Sequence, residues 1–266
     1  MIFRNKGEPD GSPLRRAAFE FVVIVAGVLA AFAADEWAQE REELRELNGH
    51  LVSVLDETRS NLVTIRIIKE GLSTEKLSAL ETVIAHLESG DATVDDPDAF
   101  IEQLGYSAWS GTPWFTRNRF DSLKESGLWR LLGDDELAGE MSSTFQAPQV
   151  LMDQVRNFQG QYPVVVNEII PASYQAELNT MRGYAPPGAL APEVAIDITA
   201  KDAMALIDQD RERLLRLARG EVAMATAKWY ALSRLQEQFG LLEEALAERL
   251  DVPSQAREIQ MGTIGF

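Results

Sequence analysis

The sequence predicts an all-α protein: one N-terminal transmembrane helix that continues into an extra-membrane helical bundle. Three observations carry this. A single long apolar run lies at Ala17–Trp37. Beyond it, apolar residues recur three and four apart over long stretches, with capping residues at the breaks. No segment shows the two-residue alternation of a half-buried sheet, and only Val164–Val166, taken alone, has strand composition. Long helices joined by short capped turns imply a bundle.

From Phe21 to Ala34 every residue is apolar or Gly. With Ala17 to Phe19 the run reaches about 18 residues, interrupted by Glu20, and a span needs ~17–25. Glu20 lies one turn from the basic side, where it can reach the headgroups or pair with Arg15 or Arg16. Trp37 suits the opposite interface. Arg4, Lys6, Arg15 and Arg16 precede the run, and only Arg41 and Arg45 follow closely. The positive-inside bias therefore predicts an inner-membrane protein with a cytoplasmic N-terminus and a periplasmic body. The expected divisions are a cytoplasmic tail (1–16), a transmembrane helix (17–37), a periplasmic helical domain (38–250) and a loose C-terminal tail (251–266).

A cleaved signal peptide is the rival reading, with Ala31-Phe32-Ala33 as an A-x-A site. Glu20 at the start of the apolar region, and helix-forming sequence running on through DEWAQEREELREL, favour a retained anchor. Within the run, Ala26, Ala30 and Ala34 form one stripe with Gly27 and Ala31 beside it. Small-xxx-small spacing lets helix backbones approach closely in lipid, so this face suits self-association or docking on a membrane partner. Plain abundance of alanine explains the same residues.

Leu44, Leu47, Leu51, Leu55, Thr58, Leu62, Ile65 and Leu72 extend the helical pattern, so span and stripe together predict one helix of about 50 residues. The stripe requires a partner: the chain's own later helices, or a coiled coil between subunits. Gly71 and Ser73 read as a stop and a new N-cap. A second helix follows from about Thr74 to Ser89, with Gly90 past its end. Asp96-Pro97 opens a short helix through Leu104. Thr112-Pro113 reads as another start, Ser126-Gly127 as its end, and Asp134 or Asp135 as the cap of a helix to about Gln159, with a bend at Pro148. Val164 to Met181 reads as helix with an irregularity at Pro171, and Gly183 to Ile198 as the longest loop. Thr199 with Asp202 approximates a capping box before a short helix. The longest soluble helix runs from Asp210 to about Leu250.

Two segments carry a family resemblance. The first is Glu20-x-x-x-Ile24-x-x-Gly27-Val28-Leu29-x-Ala31, then Trp37 and a Glu/Arg run. The second is Phe120-Asp121-Ser122-Leu123-Lys124-Glu125-Ser126-Gly127 with Leu131-Leu132 and Asp135-Glu136-Leu137. Together they resemble an uncharacterised bacterial family of single-span membrane proteins. Its members open with a membrane helix of the type E-I-x-L-V-V-x-G-I-L-I-A-L and carry a central E-L-K-S-S-G stretch. The resemblance spans about a quarter of the chain. Ala and Asp stand where that family has polar amides before the Trp. It implies one span and a helical extra-membrane domain, and it brings no activity and no functional residues.

The net charge of −17 argues against nucleic acid, which needs a Lys/Arg footprint. With no Cys there are no disulfides, thiol nucleophiles or Cys-ligated metals. Glu46 and His50 share a helix face, but His86 is distant in sequence and no H-E-x-x-H occurs. Ser73-Thr74-Glu75-Lys76 fits S-x-x-K without the motifs that accompany it in penicillin-interacting enzymes. The acidic cluster Asp91, Asp95, Asp96 and Asp98 lacks the pattern of a calcium loop. No catalytic residue, metal site or cofactor is therefore expected. The candidate interaction surface is the aromatic centre, Trp109, Trp114 and Trp129 with Arg117 and Arg119, the residue types of binding hot spots. Burial of those rings in a core is the plainer explanation of the same residues. The leading expectation is a non-enzymatic, membrane-anchored accessory protein. Its alternative is a small-molecule-sensing bundle acting through a partner, and an enzyme with a site assembled from distant helices comes third.

Overall fold

In a computed structural model of the chain, residues 13–91, 93–111, 113–157, 160–175 and 198–262 are described, those of 13–16 and 152–157 by backbone alone. They form α-helices without a strand: α1 Pro13–Glu70, α2 Leu77–Ser89, α3 Pro97–Ser107, α4 Asn118–Glu125, α5 Asp135–Asn157, α6 Gln161–Ile169, α7 Ala200–Gln209, α8 Arg211–Leu250 and α9 Ala256–Met261. The all-α prediction is met, and Val164–Val166 is helical within α6.

The first helix is longer than expected, 58 residues. Its N-terminal half is bare: Ala17 to Glu46 is exposed, with Glu43 alone partly covered. That is about 45 Å of helix at 1.5 Å per residue. It holds one segment long and apolar enough to cross a membrane, none of whose apolar window is buried inside the chain. At its far end Arg41 lies over the Trp37 ring, 4.2 Å from the centroid. From Leu47 onward the stripe is buried, and it packs on the chain's own α8, α4 and α9.

Gly71 does not stop the helix, and Ser73 does not cap the next one. One π-helical turn, Gly71–Lys76, joins α1 to α2, so helix runs on to Ser89. The Ser73 hydroxyl instead donates back to the Lys69 and Glu70 carbonyls, a bond that competes with capping. The reason for Gly71 lies elsewhere, in the approach of an indole ring described below. Gly90, at φ 77°, supplies the left-handed terminus the sequence predicts.

This rod runs antiparallel to α8. Arg59 bonds Glu243, Lys69 bonds Gln236, Lys76 bonds Glu221 and Arg219 bonds Glu88, so numbers rise on one side as they fall on the other. Two hydrophobic cores line the rod. The first joins α1 (Leu47 to Ile68) and Leu72 of the π-helical turn to α4, α5, α9 and the Leu232–Leu246 face of α8. Here Phe120 stacks on Phe145 at 4.7 Å and meets the edge of Trp129 at 5.7 Å. The second joins α2 to α3, α6, α7 and the Leu214–Ala218 end of α8.

Several predicted caps are present. Asp96 accepts from the Ala99 amide and Asp134 from the Leu137 amide. Thr199 and Asp202 form a complete capping box. Helix α5 continues through Pro148, and α6 ends before Pro171 with Ile170 extended at ψ 131°.

Two further expectations are corrected. Residues Pro113–Arg117 are not helical, and α4 starts at Asn118. Its cap comes from far away in the chain: the buried Glu57 carboxylate of α1 accepts from the Arg119 and Phe120 amides at 3.0–3.2 Å. Asn61 holds the segment just before it by bonding both the Thr116 amide and its carbonyl. Nor is the chain after Leu250 loose. It turns at Asp251 (φ 55°) and forms α9, with Ala256 and Ile259 buried. Glu243, fully buried, accepts from Ser254 Oγ and from the Gln255 and Ala256 amides, and pairs with Arg59. Residues 1–12 of the expected 1–16 tail, the end of the expected Val164–Met181 helix from 176 on, the expected loop from 183 to 197 and residues 263–266 lie outside the described residues.

Candidate functional site

The residues picked out as an interaction surface divide into two sets. Trp114 is 67% exposed, and Arg117 and Arg119 are exposed near it. Arg117 is engaged by a two-pronged bond to Asp121, at 2.8 and 2.7 Å. That bond is the largest cause holding the Asp121 carboxyl low and the Arg117 guanidinium high. Trp129 and Trp109 turn inward and pack against the first core. The anchor residues Glu20, Gly27, Ala30, Ala31, Ala34 and Trp37 all lie on the exposed half of α1, and among the described residues nothing beyond the helix's own adjacent backbone stands within 4 Å of where a Gly27 Cβ would be.

Trp109 organises the loop after α3. Its indole is clamped between two glycines. A Cβ on Gly71 would fall less than 3.0 Å from ring atoms Cη2 and Cζ3, and one on Gly111 would fall 3.1 Å from Cη2. Gly111 also needs its positive φ of 49°. With the ring seated, three successive carbonyls of the loop face two lysines. Lys76 Nζ donates to the Trp109 carbonyl at 2.6 Å, and Lys228 donates to those of Ser110 and Gly111.

These lysines mark a cavity of about 470 Å³ at the seam between the two cores, beside the π-helical turn. Single π turns inside α-helices are frequently functional sites. Its walls are largely apolar, with Leu72, Leu151, Pro163, Met224 and Ala227 among them. The side chains of Lys76, Glu221 and Lys228 line it. Lys76, 2% exposed, forms a 2.6 Å ion pair with Glu221. Glu221 in turn approaches Gly160, where a Cβ would meet its Oε2 at 2.9 Å. Lys228 has no carboxylate in hydrogen-bond contact among the described residues. Burial, then repulsion by Lys76, pulls its pKa down to about 8, against an opposing attraction from Glu221. Behind the cavity, the Tyr162 hydroxyl and Ser107 Oγ lie 2.6 Å apart and tie α6 to α3. Burial pushes the Tyr162 phenol well up.

A cavity of a few hundred Å³ with apolar walls and a few convergent charges has the character of a small-molecule site. Its donors suit an anion. No group of three His, Cys, Asp or Glu side chains suited to a metal occurs among the described residues. His86 instead stacks on Phe100 at 4.6 Å, and burial, then Arg211, lowers its pKa. Of the S-x-x-K pair, Ser73 is exposed and Lys76 buried, so the two side chains do not meet. Asp96 is a helix cap, and Asp98 accepts from the Tyr174 hydroxyl.

Sequence reasoning noted Lys76 only as half of a chance motif and did not select Glu221 or Lys228. The signal was present: Leu214, Ala218, Glu221, Ala225, Lys228, Leu232 and Leu235 follow one helical stripe, and two charges interrupt it. No family profile, characterised protein or solved structure matches the chain.

Proposed function

We propose that this chain is a membrane-anchored helical accessory protein that works by docking, not by catalysis. In this reading Ala17–Trp37 stays in a bacterial inner membrane, the basic residues before it are cytoplasmic, and the helical body is periplasmic. One observation carries the proposal: the body packs around α1 only from Leu47 onward, leaving an apolar helix that none of the described residues covers. Lipid satisfies such a surface. Its small-residue face, Gly27, Ala30, Ala31 and Ala34, gives a partner helix a close approach. The basic bias before the run supports the orientation, and the resemblance to an uncharacterised single-span family agrees with it.

The test is purification of the full chain from its native membrane in mild detergent, with identification of what accompanies it. The expected result is a membrane protein recovered in stoichiometric amount, lost from the Gly27→Ile/Ala30→Ile double variant. Recovery of the chain alone, or an unchanged association in the double variant, sinks the docking reading.

The cavity favours a second reading, in which the body binds a small molecule and passes the event to a partner. Its support is the convergence of Lys76, Glu221 and Lys228 on an apolar space at the junction of the two cores. Occupation there would bear on how the two halves of the rod pack.

A further inference from the structure

We infer that the cavity between the two cores binds an amphipathic monoanion, a carboxylate with an apolar tail of about 8–12 carbons, with Lys228 receiving the carboxylate. The inference deepens the ligand-binding reading and rests on it.

Charge count gives the sign of the ligand. Lys76 is matched by Glu221 at 2.6 Å. Lys228 bonds the Ser110 and Gly111 carbonyls and makes no ion pair among the described residues. Carbonyls satisfy donors without cancelling a charge. An ammonium has three donors, and these carbonyls occupy two, so one stays available for an acceptor in the cavity. Among the described residues the cluster therefore carries one positive charge beyond balance in a partly buried, apolar setting, where an opposite charge is strongly favoured. That excess suits one negative charge, not two.

The walls give the rest of the ligand. Leu72, Leu151, Pro163, Val164, Met224 and Ala227 offer contacts to hydrocarbon and few polar atoms. At the ~30 Å³ a water takes in the liquid, 470 Å³ holds about 15 water-sized groups. That is close to the heavy-atom count of a medium-chain carboxylate. The lowered pKa of Lys228 is what an unneutralised ammonium held for an anion would show, and it predicts a pH dependence.

The test uses the full chain in phosphatidylcholine nanodiscs and radiolabelled decanoate, with empty nanodiscs subtracted. The expected result is saturable binding at one site per chain. Decanol and decylamine bind at least tenfold more weakly. Lys228→Met weakens decanoate at least tenfold, whereas Lys228→Arg keeps most of the affinity. Affinity falls as pH rises above about 8, while the decanoate charge stays constant. Ala227→Trp, which adds bulk to the cavity lining from α8 and leaves all three charged side chains in the sequence, abolishes binding. Far-UV circular dichroism establishes that each variant is folded, and the pH series on the unaltered chain decides the matter if Lys228→Met does not fold. Saturable binding that is equal for decanoate and decanol, or indifferent to Lys228 and to pH, overturns the anion assignment and leaves a ligand cavity. No binding above empty nanodiscs to either compound overturns the anion assignment and the ligand-binding reading together.

Discussion

Gly71 and Gly49 both sit within the long N-terminal helical rod, and the same substitution at each moves stability in opposite directions. An interior helical glycine costs about 0.5–1 kcal/mol relative to alanine, because glycine loses more conformational freedom on folding. At Gly49 no described residue beyond the helix's own adjacent backbone stands within 4 Å of the added methyl. Gly49→Ala therefore stabilises by about that amount. At Gly71 the methyl would fall less than 3.0 Å from Trp109 Cη2 and Cζ3. The indole cannot retreat freely, since Gly111 closes on it from its own side with a would-be Cβ at 3.1 Å. Forcing a methyl into such a site costs about 1–3 kcal/mol. A contact this close takes the upper part of that range, about 2–3 kcal/mol, so after the propensity gain Gly71→Ala destabilises by about 1–2.5 kcal/mol. For a body of this size that is about 2–10 °C lower in Tm, against about 1–4 °C higher for Gly49→Ala. Urea and thermal unfolding of the full chain in nanodiscs, followed by far-UV circular dichroism, read both, and near-UV circular dichroism reports on the Trp109 environment. Equal stabilisation by both substitutions would refute the clamp, and with it the account of how the Trp109–Gly111 carbonyls reach the lysines.

Other expectations follow from the buried charges and the divided aromatic centre. Glu243→Ala leaves Arg59, only 11% exposed, without its carboxylate and strips the cap from α9, so it costs about 3–5 kcal/mol and opens residues 251–262 to limited proteolysis. Phe120→Ala costs about 3–5 kcal/mol in urea unfolding, whereas Trp114→Ala stays within about 0.5 kcal/mol, because one ring stacks in the core and the other is exposed. Lys228, at about 8 in the folded chain against 10.5 when free, binds fewer protons folded than unfolded between those values. Stability from this group is thus full above 10.5 and lost as pH falls through about 8. The wild type accordingly gains on Lys228→Met in urea midpoint as pH rises from about 8 to 10, and parallel pH profiles would contradict the burial of this lysine.

Local signals in the sequence placed most helices well, since a cap such as Asp96, Thr199 or Gly127 acts within a turn of where it stands. They failed where the partner lies far along the chain. Gly71 looks like a terminator because glycine commonly ends helices, but its absent side chain serves a ring 38 positions on in sequence. The start of α4 was misplaced because its cap is Glu57, brought in by tertiary packing. The region after Pro253 reads as polar tail, since the carboxylate that organises it is Glu243, buried on the preceding helix. The cavity followed the same pattern. Its three charged residues lie on apolar helix stripes, and a charge on such a stripe signals a buried pair or a site. Which of these it is depends on the partner it meets, and for Lys228 that partner is a pair of carbonyls rather than a carboxylate.

The most direct measurement concerns the uncovered half of α1. The chain has no Cys, so single cysteines can be placed without background. Phe21→Cys, Val25→Cys, Leu29→Cys and Ala33→Cys, with Ala38→Cys and Gln39→Cys beyond them, would be challenged in intact membranes with a membrane-impermeant maleimide. Retained insertion predicts protection at the first four positions in a chain of undiminished length, with labelling from the periplasmic side at the last two. Uniform labelling along the series, or a mature protein that has lost its first 33 or so residues, would contradict the anchored account.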